Sequence, residues 1–150
     1  MSLTPETPFL TFEVDVGPLQ IIGDTGNGIR RFVPILGGRV RGDLTGEILP
    51  GADWQVVDKD GNLELDAHYA LKTTTGDIVE LSSLGVRTGP PEVLARLAAG
   101  EAVDPREYYF RTTIRFKAAA PALRHLNHRL EVARGERRKN TVILEVFEVL

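Results

Sequence analysis

The chain contains no cysteine, which excludes disulfide bonds and metal sites built on thiolates. This absence fits the reducing cytoplasm, and we expect the protein there. No apolar run approaches the length needed to cross a membrane, so we expect no membrane partner. The first residues, Met1 to Glu6, lack the basic and apolar regions of a secretory signal, and we expect no such signal.

The chain also lacks a marked excess of either charge. Lysine and arginine number 18 against 21 aspartates and glutamates, which gives a formal net charge of -3. Nucleic-acid-binding domains normally show a basic face, so we expect no nucleic-acid partner. The basic run at residues 134–139 is interpreted as a solvated hairpin tip.

Motifs for common cofactors and nucleophiles are missing too. His125 and His128 are three residues apart, but no third metal ligand accompanies them, so we predict neither a metal nor a cofactor. There is no dinucleotide fingerprint and no Gly-x-Ser-x-Gly element. The glycines at 23–28 resemble a phosphate loop only in composition, because the lysine and the following helix are absent.

Alternating apolar residues are what the chain has in abundance. Leu10, Phe12, Val14 and Val16 are spaced by two, as in a strand with one buried face. We predict further strands at 29–36, 40–49, 54–57, 63–71, 78–86, 108–116, 128–133 and 141–149. At 150 residues the chain has the length of one domain, and we predict a single domain over 1–150 with a flexible N-terminus at 1–7.

Two segments break the alternation. Pro90 to Gly100 opens on proline, carries an apolar stripe and closes on glycine, which is typical of a helix. A second short helical piece is predicted at Pro121 to Leu126. With about eight or nine strands and so little helix, the pattern indicates an all-β antiparallel barrel or sandwich.

The segment from Gly37 to Trp54 is the most informative part of the chain. It contains five glycines in a strand-like pattern and places the only tryptophan directly after Asp53. Glycine within a strand marks a bulge, a bend or a close approach to the backbone. Strands bent at intervals are what a small closed barrel requires.

Several segments in order carry a family resemblance. They read GGRVRGDLTGEILPGADW at 37–54, LELDAHY at 63–69, GVRTGPPEVL at 85–94, DPREYYFRTT at 104–113, and LNHRL, ARGERR and VFEV in the tail at 126–149. Through them, residues 8–149 resemble the domain-of-unknown-function family 3237, small proteins of bacteria and fungi. The resemblance implies a closed antiparallel β-barrel of calycin or allene-oxide-cyclase type, often oligomeric, and it implies little about chemistry.

The chain departs from the family pattern at three places. Pro50-Gly51 stands where two glycines are usual, Ile114 where a proline is common, and Glu131 where an apolar residue is common. Glu131 either places a carboxylate in an otherwise apolar site or faces water. We also expect a homodimer, from the resemblance and from the apolar final strand at 142–149, whose edge would need covering.

Asp53 and Trp54 are the first candidates for a ligand site. The carboxylate of Asp53 would accept a hydrogen bond or a proton, and the indole of Trp54 would stack on the ligand. The alternative is a turn aspartate beside a core tryptophan. Because consecutive strand residues point to opposite faces, both can line one lumen only if a bulge intervenes.

The segment from Tyr108 to Arg111 offers a second pair. Tyr109 and Arg111 share one face of the predicted strand, and Tyr108 and Phe110 share the other. An interior Tyr109 and Arg111 would bind a carboxylate, enolate or phenolate. The alternative is a Tyr-Phe core pair with Arg111 in a surface ion pair. If the predicted strand register is wrong by one residue, Tyr108 replaces Trp54 as a ligand-binding residue.

Arg87 and Tyr69 complete the set of candidates. Arg87 ends a predicted strand beside a helix start, where a cation can hold an anionic ligand or simply tie the helix down. Tyr69 faces away from Asp66 and His68, which we interpret as an exposed polar strand face rather than a general-base pair.

These segments together predict one ligand pocket in the barrel. Its catalytic residues would be Asp53, Tyr109 and Arg111, and its ligand-binding residues Trp54, Tyr69, Arg87 and Tyr108. We expect Asp53 to pair with Arg111 or Arg87, or to hold ordered water, because an unpaired buried charge is costly.

The available groups suit proton transfer without a cofactor. We predict an isomerase, cyclase or lyase that acts on a small aromatic or polyketide-like organic molecule. A barrel that binds such a molecule without catalysis, as a carrier does, is one alternative. A structural module used only for oligomerisation is another.

Overall fold

The computed structural model describes residues 2–150, and strands dominate it. The ten strands are β1 (Leu10–Val16), β2 (Gln20–Asp24), β3 (Ile29–Gly42), β4 (Gly46–Ile48), β5 (Gly51–Val57), β6 (Leu63–Thr73), β7 (Ile78–Thr88), β8 (Tyr109–Ala118), β9 (Glu131–Arg137) and β10 (Thr141–Glu148). One α-helix, α1 (Pro91–Ala98), and 3₁₀ helices at Pro105–Glu107 and Pro121–His128 complete the fold. We call the last of these the floor helix.

The strands close into one antiparallel barrel. The circuit runs β1-β10-β9-β8-β7-β6, continues through β4 and β5 in one shared position, and returns through β3 to β1. The barrel therefore has 8 strand positions, and the prediction of a closed antiparallel all-β barrel with short helices is confirmed. None of the helices in residues 2–150 combines the length and the apolar character that a membrane crossing demands.

Glycines allow the barrel to close between β1 and β3. Gly38 has φ +141, and a Cβ atom there would overlap the carbonyl oxygen of Glu13 on β1. Only a residue without a side chain fits so close to the neighbouring strand. The predicted bent strand at 40–49 is wrong in its bounds, because β3 ends at Gly42 and the chain turns before β4 begins.

The final hairpin also differs from its prediction. The strands predicted at 128–133 and 141–149 are observed as Glu131–Arg137 and Thr141–Glu148, so the turn is only three residues long. The expected open edge is wrong, because β10 pairs with β1 on one side and with β9 on the other. This argument for a dimer is therefore lost, and the dimer itself stays a prediction.

The core fills one end of the barrel, which we call the floor. Its largest fully buried apolar side chains are Leu10, Phe12, Leu71, Leu81, Ile114 and Phe116. The floor helix packs Leu123 and Leu126 into the same end. Its Asn127 side chain holds the end of β8 by bonding to both the backbone N–H and the carbonyl of Ala118, at 2.7 and 2.9 Å.

The other end, which we call the mouth, is bordered by α1. This helix lies within the predicted segment from Pro90 to Gly100, begins at Pro91 and buries Val93, Leu94 and Leu97. Gly61, in the turn between β5 and β6, lies against Leu94. The mouth is thus partly covered by a helix, while the floor is filled with side chains.

Candidate functional site

Polar side chains from four strands meet in the mouth of the barrel. They are Arg31 of β3, Asp53 and Gln55 of β5, Arg87 of β7 and Arg137 of β9, and all five line one cavity of about 210 Å³. Apolar residues form the rest of its wall, among them Val33, Leu65 and Phe110. A mostly apolar cavity with a few convergent polar groups is the usual form of a ligand site.

Strand alternation directs these side chains inward. Arg31 follows the parity of the buried Val33 and Ile35, and Arg137 follows the parity of the buried Ala133 and Gly135. Asp53 alternates with Trp54, which faces outward. Arg31, Asp53 and Arg137 therefore occupy inward-facing positions of their strands.

A chain of hydrogen bonds orders three of the polar groups. Arg31 Nε donates to Gln55 Oε1 at 2.9 Å, and Gln55 Nε2 donates to Asp53 Oδ2 at 2.9 Å. The expected ion pair between Asp53 and an arginine is absent from residues 2–150, because Gln55 takes that place. Gln55 was not anticipated from the sequence.

Other polar atoms at this site have no partner. Asp53 Oδ1, Arg87 Nε and Tyr69 Oη are all buried and make no hydrogen bond in the described part of the chain. Leaving such groups unsatisfied costs free energy, so the unpaired atoms of Asp53 and Arg87, which line one cavity, point to a partner that is not part of the chain.

Burial shifts the charge equilibria of the two central groups in opposite directions. Removal from water raises the pKa of Asp53 to about 6, although Gln55 and Arg87 act to lower it. Removal from water, together with the positive charges of Arg31 and Arg137, lowers the pKa of Arg87 to about 10. The carboxyl group of Asp53 thus titrates close to neutral pH, whereas Arg87 remains a cation there.

Tyr69 lies on β6 with its side chain buried in the barrel. Burial first, and the charge of Asp53 second, raise the pKa of this phenol above its usual value, so Tyr69 keeps its proton at neutral pH. Gly51 lets β5 approach, because a Cβ atom there would stand only 2.7 Å from Tyr69 Cβ. The departure at Pro50-Gly51 keeps glycine at the position where contact with Tyr69 is closest.

Three of the predicted residues are brought together. Asp53, Arg87 and Tyr69 all face the interior, and Asp53 and Arg87 line the cavity. They come from the different strands β5, β6 and β7, which pair side by side.

Trp54, Tyr109 and Arg111 lie elsewhere, and the prediction that they line the cavity is wrong. Trp54 faces outward because no bulge intervenes after Asp53, and it packs on Phe32 with 4.6 Å between ring centroids. Tyr109 is 53% exposed, with the guanidinium of Arg111 5.0 Å from its ring centroid. Phe110 and Thr112 take the interior positions of β8 instead.

Tyr108 supports the site from outside the cavity. It is buried just before β8, and its hydroxyl accepts a hydrogen bond from the backbone N–H of Arg137 at 2.9 Å. This bond anchors the end of β9, from which the Arg137 side chain enters the mouth. The interpretation of residues 134–139 as a solvated tip is therefore wrong at Arg137.

Arg31 and Arg137 are the arginines that the sequence analysis missed. Arg31 could have been found, since it continues the inward parity of Val33 and Ile35 on a predicted strand. Arg137 could not, because the predicted hairpin ended its strand at residue 133 and left the arginine in the turn. Among residues 2–150 no group of three or more His, Cys, Asp and Glu side chains is placed to hold a metal ion.

The barrel and its cavity can be compared with known proteins. A family model described as a protein of unknown function, DUF3237, matches residues 5–149. The chain belongs to the DUF3237 family. It is 39% identical to a UPF0311 protein of Rhodopseudomonas palustris, over all of both chains.

Solved structures of similar proteins agree with this fold. A conserved protein of unknown function from Rhodopseudomonas palustris has a TM-score of 0.92 at 36% identity, and the match covers 100% of this chain and 99% of that one. A β-barrel-like protein from Acinetobacter baumannii has a TM-score of 0.85 at 36% identity over 100% and 98% of the two chains. An enzyme from Penicillium herquei has a TM-score of 0.63 at 17% identity over 100% of both, which is a likeness of fold alone.

Proposed function

We propose that the protein binds a small organic anion in the mouth of the barrel and that Asp53 transfers a proton to or from it. An excess of positive charge carries this proposal. Arg31, Arg87 and Arg137 surround the single carboxylate of Asp53, and none of the three has an ion-pair partner in residues 2–150. Cations held in an enclosed site without partners are costly, and a bound anion offsets that cost.

The site supports a division of labour among its residues. The arginines bind a carboxylate, enolate or phenolate oxygen, and a guanidinium can do so through two parallel hydrogen bonds. Asp53 Oδ1 is free to accept a proton, and a pKa of about 6 leaves it ionised at neutral pH yet close to the optimum for a general base. Tyr69 is a neutral phenol that can donate to a developing oxyanion.

The chemistry that fits these groups needs no further reactant. Asp53 would take a proton from an acidic carbon or oxygen of the substrate, and the electron pair left behind would move onto the oxygen held by the arginines. Return of the proton to a different atom gives isomerisation, and attack or loss of a group gives cyclisation or elimination. The distant fungal neighbour described as an enzyme supports only the point that this fold can host catalysis.

Deuterium exchange tests proton transfer without knowledge of the natural substrate. Acetoacetate carries both an anionic group and an acidic C–H, and its exchange in D₂O can be followed by proton NMR. We expect the protein to accelerate exchange, with a rate that rises with pH through about 6 as Asp53 loses its proton. Asp53→Asn should abolish the acceleration while calorimetry still detects acetoacetate binding.

Two further variants sharpen the experiment. Arg87→Met should weaken acetoacetate binding at least tenfold, the loss expected when one charged hydrogen bond disappears. Glu64→Gln is the matched control, because Glu64 is an exposed carboxylate on the outer face of β6, opposite Val56, and should change neither reading. Binding without any accelerated exchange would favour the carrier alternative, and failure of both would leave the structural module.

A further inference from the structure

The hairpin of β2 and β3 extends past the mouth and exposes apolar side chains. We call these side chains the lip: Leu19 (41% exposed), Ile21 (68%), Ile22 (57%) and Ile29 (39%). Exposed apolar residues scattered singly are ordinary, but several large ones on one short hairpin mark a contact surface.

The lip is continuous with the cavity. Ile21 pairs in register with Arg31, and directly opposed residues of antiparallel strands share a face, so Ile21 stands on the side that Arg31 presents to the cavity. Leu19 both lines the cavity and is partly exposed. Leu97 and Ala98, in the last turn of α1, line the same cavity.

The cavity is too small to enclose a drug-sized ligand, so a ligand of that size would extend beyond it. A volume of about 210 Å³ is smaller than the roughly 300 Å³ at which pockets for drug-sized ligands begin. A ligand with its anionic group at the arginines and a body larger than the cavity must leave through the mouth. There it meets Leu19 and the other apolar side chains of the lip.

We propose that the ligand is an amphiphilic anion, with its charged group at Arg87 and its apolar body lying against the lip. This ligand class rests on the proposed anion site. The lip then determines ligand specificity, because contact with Leu19 and Ile21 increases the affinity for ligands whose apolar carbon atoms lie outside the cavity.

A series of straight-chain carboxylates tests this ligand class. Acetate, butyrate, hexanoate and octanoate present the same anionic group with increasing apolar length. We expect calorimetric affinity to rise by up to about fourfold for each methylene that the lip covers. In the double variant Leu19→Ser/Ile21→Ser, the gain in affinity from acetate to octanoate should largely disappear.

Ile78→Ser is the matched control, because Ile78 is a similarly exposed isoleucine (58%) at the start of β7, near the floor. It should leave the whole series unchanged. Equal affinity for all four carboxylates, with binding lost in Arg87→Met, would overturn the amphiphilic ligand and leave the anion site standing. Absence of binding at every length would overturn both.

A second copy of the chain is the competing occupant of the lip. Light scattering on the same variants separates the two. If Leu19→Ser/Ile21→Ser converts a dimer to a monomer and the dependence on chain length is unchanged, the lip is an interface between copies and the proposal is wrong. An unchanged mass together with a flattened series supports it.

Discussion

The mouth and the floor of the barrel each bury one carboxyl group, in different surroundings. Asp53 at the mouth accepts a hydrogen bond from Gln55 and stands among three arginines at a cavity. Glu131 at the floor is 1% exposed, and neither of its carboxyl oxygens has a partner in residues 2–150. Burial raises the pKa of both groups, to about 6 and about 7.

The two carboxyl groups show that burial with a raised pKa does not by itself identify a ligand site. A raised pKa shows only that a carboxyl group is removed from water, and this is true both of Asp53 at the mouth and of Glu131 at the floor. At the mouth, groups of different chemistry face one cavity, so a ligand can satisfy them together. At the floor Glu131 faces Ile114 on one side and Glu148 on the other in strand register, and Glu148 raises its pKa further.

The largest effect is expected from emptying the floor. Phe116→Ala removes a fully buried ring that meets Phe12 edge-on at 6.4 Å, and it should lower the free energy of unfolding by about 4 kcal/mol in urea titration. Phe32→Ala, on the partly exposed outer face, is the control and should cost much less. A loss below about 1 kcal/mol at Phe116 would mean that the floor is not close-packed.

The pH dependence of stability isolates Glu131. Its folded pKa of about 7 lies above the usual 4.5, so the folded state holds this proton more tightly than the unfolded state does. The proton on Glu131 therefore stabilises the folded state fully below pH 4.5. This stabilisation, on the order of 2–3 kcal/mol, is lost as the pH rises to about 7. Glu131→Gln should remove that loss.

The measurement is urea unfolding of Glu131→Gln and of the unsubstituted protein at pH 5 and pH 8. The variant should differ little from the parent at pH 5, and its advantage in stability should be clearly larger at pH 8. Glu145→Gln is a suitable control, since Glu145 lies near the surface in an ion pair with Arg134. Equal stability of variant and parent at pH 8 would contradict a proton held by Glu131 in the folded state.

A smaller loss of stability is expected when the floor helix is no longer hydrogen-bonded to β8. Asn127→Ala removes two hydrogen bonds to the backbone of Ala118, and we expect a cost of about 2 kcal/mol. Hydrogen exchange at the Ala118 amide should accelerate by a comparable free energy. If exchange there is unchanged, the side chain of Asn127 does not secure the end of β8.

A substitution in the mouth should change stability least, and it should raise rather than lower the free energy of unfolding. Arg87→Met removes a buried cation that lies near Arg31 and Arg137, so we expect the free energy of unfolding to rise by up to about 1 kcal/mol. Arg134→Met is the surface control, with little expected change. A large loss of stability in Arg87→Met would assign Arg87 to the structure rather than to a ligand.

Much of this fold could be predicted from local patterns. Period-two alternation located most strands, and proline with glycine bounded α1 at Pro91. Strand ends were less accessible, since β9 runs on to Arg137 through a basic stretch that resembles a loop. The sequence showed that Tyr109 and Arg111 lie on the same face of a strand. It did not show which face of that strand points into the barrel.

The sequence by itself determined the all-β antiparallel class, the alternation and the glycines that permit close approach of strands, because these depend on backbone sterics and on neighbours along the chain. The closed barrel, as opposed to a sandwich, was implied by the family resemblance. Only the tertiary structure decided that Arg31, Asp53, Arg87 and Arg137 share one cavity. Strand register and the direction of closure bring these residues together from distant parts of the chain. A shift of one residue in register would send each of them to the outer face, and no local pattern records that choice.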